Sequence, residues 1–143
     1  NDNYDSQGTL WEGRYRATVI DPSEYLLRCC RYIENSPVLE GLVKNPKAYP
    51  WSSYSHNALG KIDEGITEHR VYKQLGKTEK ERSQAYKDLF KTPLTEEQLS
   101  TISDATHKGW ALGNAKFIKK IEQLTNRRAS PLPKGRPKKV KEQ

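Results

Sequence analysis

The sequence predicts an α+β chain that is mostly helical over these 143 residues and ends in a basic tail. Three observations predict it. A stretch before residue 20 alternates apolar and polar side chains with period 2. From residue 21 onward the chain divides into segments that open on capping residues and close on glycine. The basic charge is confined to one end: residues 116–143 carry ten Lys/Arg against Glu122 and Glu142, a net +8, whereas the preceding 115 residues sum to −1. A hydrophobic fraction of 34% predicts a modest core. No apolar run approaches the ~20 residues of a membrane span, and no charged-then-apolar leader is present. With neither segment present we expect an intracellular protein, and from the opening on Asn1 one whose natural N-terminus lies upstream.

Residues 1–8 are polar and read as a loop. From Thr9 to Ile20, Tyr15, Ala17 and Val19 alternate with Arg14, Arg16 and Thr18, which predicts a strand with one buried face. Asp21-Pro22-Ser23-Glu24 then opens a helix, with Asp21 as cap, Pro22 in the first turn and Glu24 closing a capping box. Apolar or aromatic positions recur at 25, 26, 29, 30 and 33, and Pro37 is expected to end the helix at or before Ser36. A short second helix is expected over 38–43. Asn45-Pro46 and Tyr49-Pro50 punctuate a loop.

The next helix is expected over 51–59, stopped by Gly60. Thr67 is expected to cap one that runs to Leu75. Thr78 with Glu81 forms a capping box for one reaching Phe90, and Thr95 with Gln98 does so for one ending at Gly109. Asn114 opens the last, whose apolar positions are Phe117, Ile118, Ile121 and Leu124. After Arg127 the Pro, Gly, Lys and Arg content argues for disorder. A single strand cannot bury its face or pair its backbone unaided, so the sheet is expected to be incomplete.

Four ordered blocks carry a resemblance. They are Gly8-Thr9-Leu10-Trp11-Glu12-Gly13-Arg14-Tyr15-Arg16, the stretch Tyr25 to Val38 (with Arg31-Tyr32-Ile33-Glu34-Asn35-Ser36-Pro37 at its centre), Tyr49-Pro50-Trp51-Ser52-Ser53-Tyr54, and Ala58-Leu59-Gly60. In order and spacing they resemble the REP-associated tyrosine transposases of bacteria, with weaker similarity at Gly76, Gly109 and Gly135-Arg136-Pro137.

The resemblance implies a ferredoxin-like core bearing a His-hydrophobic-His metal motif, followed by a helix that presents one tyrosine. That tyrosine attacks a DNA phosphorus in single-stranded hairpin repeats, giving a 5′-phosphotyrosine link and a free 3′-OH. It implies that residues 1–43 are the C-terminal part of the catalytic core, 44–128 a small helical region and 129–143 a flexible basic tail. It implies a cytoplasmic, nucleoid-associated protein that nicks and joins DNA with Mg²⁺ or Mn²⁺. The position matching the nucleophile is Tyr32. A phenol titrates near ~10, so it needs help to ionise near neutrality. Arg28 lies one turn before Tyr32 and Arg31 beside it, and Arg14 and Arg16 lie on the expected strand; each suits a phosphate.

Two departures accompany the match. The three histidines, His56, His69 and His107, include no pair two residues apart, so the metal motif is expected upstream of Asn1, and no metal is expected on this chain. One turn after Tyr32, where the family places an amide ligand, stands Ser36, with Asn35 before it.

Further DNA contacts are expected from Lys116, Lys119 and Lys120 on a helix-turn-helix or plain hairpin over 96–126, and from Arg127 and Arg128. Lys134, Arg136, Lys138 and Lys139 sit in an AT-hook-like Gly-Arg-Pro segment. Trp11, Trp51 and Tyr54 either stack on bases or pack the core. The adjacent Cys29 and Cys30 read as small buried hydrophobes rather than a bridge. Two functions stay open: a DNA-nicking enzyme, or a non-catalytic helical DNA-binding module.

Overall fold

A computed structural model describes residues 13–132 and Gly135. The described chain is helical, with six α-helices: α1 (Pro22–Leu39), α2 (Tyr54–Leu59), α3 (Arg70–Lys73), α4 (Glu79–Asp88), α5 (Glu96–Lys108) and α6 (Ala115–Thr125). Two 3-10 turns, Pro46–Ala48 and Leu89–Lys91, complete it. Among the described residues no helix is long and apolar enough to cross a membrane.

The longest helix, α1, divides two apolar clusters. Leu27 and Cys30 face Tyr54, Ala58, Tyr72 and Tyr86, with Leu75, Leu89 and Phe90 packed around them. Tyr25, Cys29 and Tyr32 face Ile102, Ala105 and Leu112, joined by Ile20 and Trp110. The spacings i, i+3 and i, i+4, i+7 put these two sets on different sides of one helix. Burial raises both thiols, Cys30 to about 11. In the first cluster the rings meet edge-on, with Tyr54 and Phe90 at 4.9 Å between centroids and Tyr72 and Tyr86 at 5.6 Å.

Local sequence signals explain most helix ends. Thr78 with Glu81 and Thr95 with Gln98 form reciprocal capping boxes, Asn114 caps α6, and Gly60 and Gly109 close α2 and α5 in the left-handed conformation at φ 67°. Gly113 serves a close approach instead: a Cβ there would lie 2.3 Å from the Phe117 ring.

Several expectations are corrected. The expected strand forms no ladder. Its one pairing is a parallel bridge of Ile20 with Leu112, and Tyr15, Ala17 and Val19, expected to be buried, are exposed while Thr18 and Ile20 turn inward. The reason is that no neighbouring strand exists among the described residues to cover that face. Asp21 does cap α1, accepting from the Ser23 amide at 3.0 Å, but Glu24 makes no capping box and pairs with Arg28 at 3.6 Å.

Pro37 does not end α1. The Ile33 carbonyl, which Pro37 leaves without an amide donor, accepts the Ser36 hydroxyl at 2.9 Å, and the helix runs on to Leu39. The helix expected over 38–43 is therefore the last turn of α1 and a bend. His69, not Thr67, caps α3, its Nδ1 accepting from the Val71 amide at 3.1 Å.

The chain also stays packed past Arg127. The buried Ala129 donates its amide to Glu122 at 2.9 Å, and its carbonyl accepts from the Ala111 amide at 2.9 Å. On the other side, the Leu112 amide donates to the Val19 carbonyl at 2.9 Å and the Leu112 carbonyl accepts from the Asp21 amide at 2.7 Å. Residues 111–112 thus form a seam between the segment entering α1 and the segment leaving α6.

Candidate functional site

Tyr32 lies in the second half of α1, on the side facing α5, half-buried against Ile102, Ala105 and Leu112. Its hydroxyl makes no hydrogen bond among the described residues. Three of the four arginines expected around it hold an intramolecular contact. Arg28 pairs with Glu24 and lies 5.5 Å from the Tyr25 ring centroid. It also borders a cleft of about 390 Å³ with Tyr25, Thr95, Gln98 and Thr101.

Arg31 turns to the opposite cluster, donating to the Thr92 carbonyl and stacking 5.7 Å from the Phe90 centroid. Its partial burial lowers the guanidinium's affinity for a proton. Arg16 donates to the His107 carbonyl at 2.7 Å and meets His107 Nδ1 at 3.1 Å, so its cation sits at the negative end of α5. Arg14 is exposed.

The Ser36 hydroxyl is committed to Ile33, and Asn35 lines a small cavity of about 130 Å³ beside the Arg31 cation, with Phe90, Pro93 and Leu94. Among the described residues no group of three or more His, Cys, Asp or Glu could hold a metal ion. The histidines have other contacts: His56 approaches Glu68 at 3.8 Å, His69 caps α3 and His107 meets Arg16. Tyr54 is buried in the core, and Trp51 is 83% exposed. Lys116, Lys119, Lys120, Arg127 and Arg128 are all exposed. α5 packs on α1, and its Thr101, Asp104 and Ala105 border one cavity with Ile118 of α6. Trp11, Lys134, Arg136, Lys138 and Lys139 lie outside the described residues.

One residue the sequence reasoning passed over is Glu34. It is fully buried. Its Oε1 accepts from Ser53 Oγ at 2.6 Å and Asn57 Nδ2 at 2.8 Å, and its Oε2 accepts from the Tyr86 hydroxyl at 2.9 Å. No cation compensates it among the described residues. Desolvation therefore raises its pKa, only partly offset by the three donors. Desolvation, and after it the Glu34 charge, push the Tyr86 phenol upward as well. The signal was available: position 34 continues the i, i+3, i+7 row of Leu27 and Cys30, an inward-facing row.

No protein-family model, no curated protein and no solved structure matches the chain.

Proposed function

We propose that this chain is part of a DNA strand-cleaving and strand-joining protein of the kind it resembles, with Tyr32 as nucleophile. The observation that carries the reading is the ordered set of four sequence blocks. Its support from geometry is that two of them interlock: Glu34, from the Tyr32 block, is held by Ser53, from the Pro-Trp-Ser-Ser-Tyr block. The exposed face of 14–19, with Tyr15 92% exposed, suits a strand that completes a ferredoxin-like sheet with residues upstream of Asn1.

In this reading the Tyr32 oxygen forms a bond to phosphorus as the phosphorus–oxygen bond to the departing 3′-oxygen breaks. The phenolic proton is lost, and the departing oxygen takes up a proton as the 3′-OH. Joining reverses the step. Half-burial against α5 fixes the ring so that the hydroxyl is delivered from a rigid helix rather than a loop. The resemblance assigns the metal ligands to the upstream histidine pair, and no step of this chain is built on them.

The test is covalent adduct formation on a labelled hairpin oligonucleotide with Mg²⁺ or Mn²⁺. The protein extended upstream through the histidine pair is expected to form the adduct. Tyr32→Phe is expected to abolish it while leaving DNA affinity within about twofold, because the ring's packing is preserved. These 143 residues alone are expected to form none. Undiminished cleavage by Tyr32→Phe moves the nucleophile elsewhere, with Tyr25 the next residue to test.

A further inference from the structure

We propose that the exposed face of α6 grips the phosphate backbone of double-stranded nucleic acid. The inference rests on the nucleic-acid partner proposed above but not on the Tyr32 chemistry. At ~3.6 residues per turn, Lys116, Lys119, Lys120 and Gln123 fall within one arc of about 100°, spread over about 10 Å of helix. All four are exposed, while Phe117, Ile118 and Ile121 on the other side are half-buried.

Elsewhere in the described body Lys91 pairs with Asp88 at 2.8 Å, Lys108 with Asp104 at 2.9 Å, and Arg82 with Glu68 at 3.5 Å. Among the described residues no carboxylate lies within 4.0 Å of Lys116, Lys119 or Lys120. Glu122 is the one acid between Asn114 and Leu132, and it is turned away to hold Ala129 and Ser130. The lysines border a concavity of about 480 Å³ whose single acid, Asp21, is engaged with the amide and hydroxyl of Ser23 at 3.0 and 2.6 Å.

The result is an uncompensated row of three ammonium groups with a helical rise. Such a row neutralises phosphates and reads no sequence. Phe117 borders the concavity but is half-buried, so the face lacks the exposed stacking platform that unpaired bases use. Phe117, Ile118 and Ile121 turn inward and leave Leu124 as the one exposed large apolar side chain of α6, too little for the exposed apolar face by which an amphipathic helix binds a membrane surface.

The experiment compares the 143-residue chain with K116Q/K119Q/K120Q and with K61Q/K73Q/K80Q, which removes equal charge from exposed lysines elsewhere. Affinity is measured by fluorescence anisotropy across salt, for a duplex and for a single strand of the same length. Thermal melting confirms that both variants fold. The α6 variant is expected to lose about tenfold or more in duplex affinity near ~0.1 M salt. Its slope of log K against log salt should be flatter by about 2–3, at ~0.9 per lost contact. The control variant should stay close to wild type.

Equal losses in both variants overturn the proposal in favour of net charge, and a loss confined to the single strand overturns it in favour of strand capture. Unchanged duplex binding with lost binding to phosphatidylserine vesicles overturns it in favour of a membrane. Duplex binding that depends on α6 while the upstream-extended protein forms no adduct sinks only the cleavage reading. Adduct formation without dependence on α6 sinks only this one.

Discussion

Glu34 places a carboxylate where water cannot reach it, among three neutral donors. Such a group disfavours its charged form, so the folded protein holds the Glu34 proton to higher pH than the unfolded chain does. Stability therefore includes a contribution that is whole below the ordinary glutamate value near ~4.3 and is lost as pH rises through the raised folded value. Glu34→Gln keeps an acceptor for Ser53 and Asn57 and requires only that the Tyr86 hydroxyl turn to accept. Its cost should be about 1 kcal/mol, largest at acid pH and shrinking as pH rises. Glu34→Ala orphans the buried Tyr86 hydroxyl and the half-buried Ser53 and Asn57 donors and should cost about 3 kcal/mol. Urea unfolding of the three proteins across this pH range is the measurement. A Gln cost that grows with pH would mean that the donors outweigh the desolvation.

At the scale of the element, α1 continues through Pro37 because Ser36 supplies the donor that proline lacks. Removing that hydroxyl alone, Ser36→Ala, should cost about 1 kcal/mol. In a Pro37→Ala background, where the amide returns, the same change should cost close to nothing. A double-mutant cycle reads the difference, and equal costs in both backgrounds would show the hydroxyl to be incidental. The same helix shows why some of the fold was legible in the sequence and some was not. The Thr78/Glu81 and Thr95/Gln98 boxes, the glycine stops at 60 and 109 and the Asn114 cap are settled within four residues of chain, and sequence carries them directly. Pro37 was misread because its rule omits a neighbouring hydroxyl. The strand before Ile20 was misread because a strand's partner is chosen by the whole fold. Of the candidate site, the helix that carries Tyr32 was legible. The engagements of Arg16 with His107 and Arg31 with Thr92 were not, since those partners lie 91 and 61 residues away. Glu34 went unread because a charged letter suggests a solvated face until its helical row is traced.

For the whole molecule, the described body does not stop at α6. Ala129 is buried and bonded on both sides, to Glu122 and to Ala111. Under the proposed function, truncation after Leu132 should lower DNA affinity while leaving the melting temperature unchanged, since residues 133–143 hold five Lys/Arg against Glu142. Truncation after Arg128 should in addition lower the melting temperature by several degrees, because about 1–2 kcal/mol of hydrogen bonding and burial is lost. Thermal melts of the two truncations decide this. Equal melting temperatures would reduce the Ala129 contacts to a surface decoration.

The seam at Ala111 and Leu112 has a mechanical consequence. The segment entering the body and the segment leaving it are hydrogen-bonded to adjacent residues of one strand-like link. A pull applied between the two ends loads those few bonds first, before any helix feels tension. The α2–α4 cluster around Glu34 lies outside that line of force. Under load the chain should yield in two stages, an early release at the seam that frees α6, followed by rupture of the tyrosine-lined cluster at higher force.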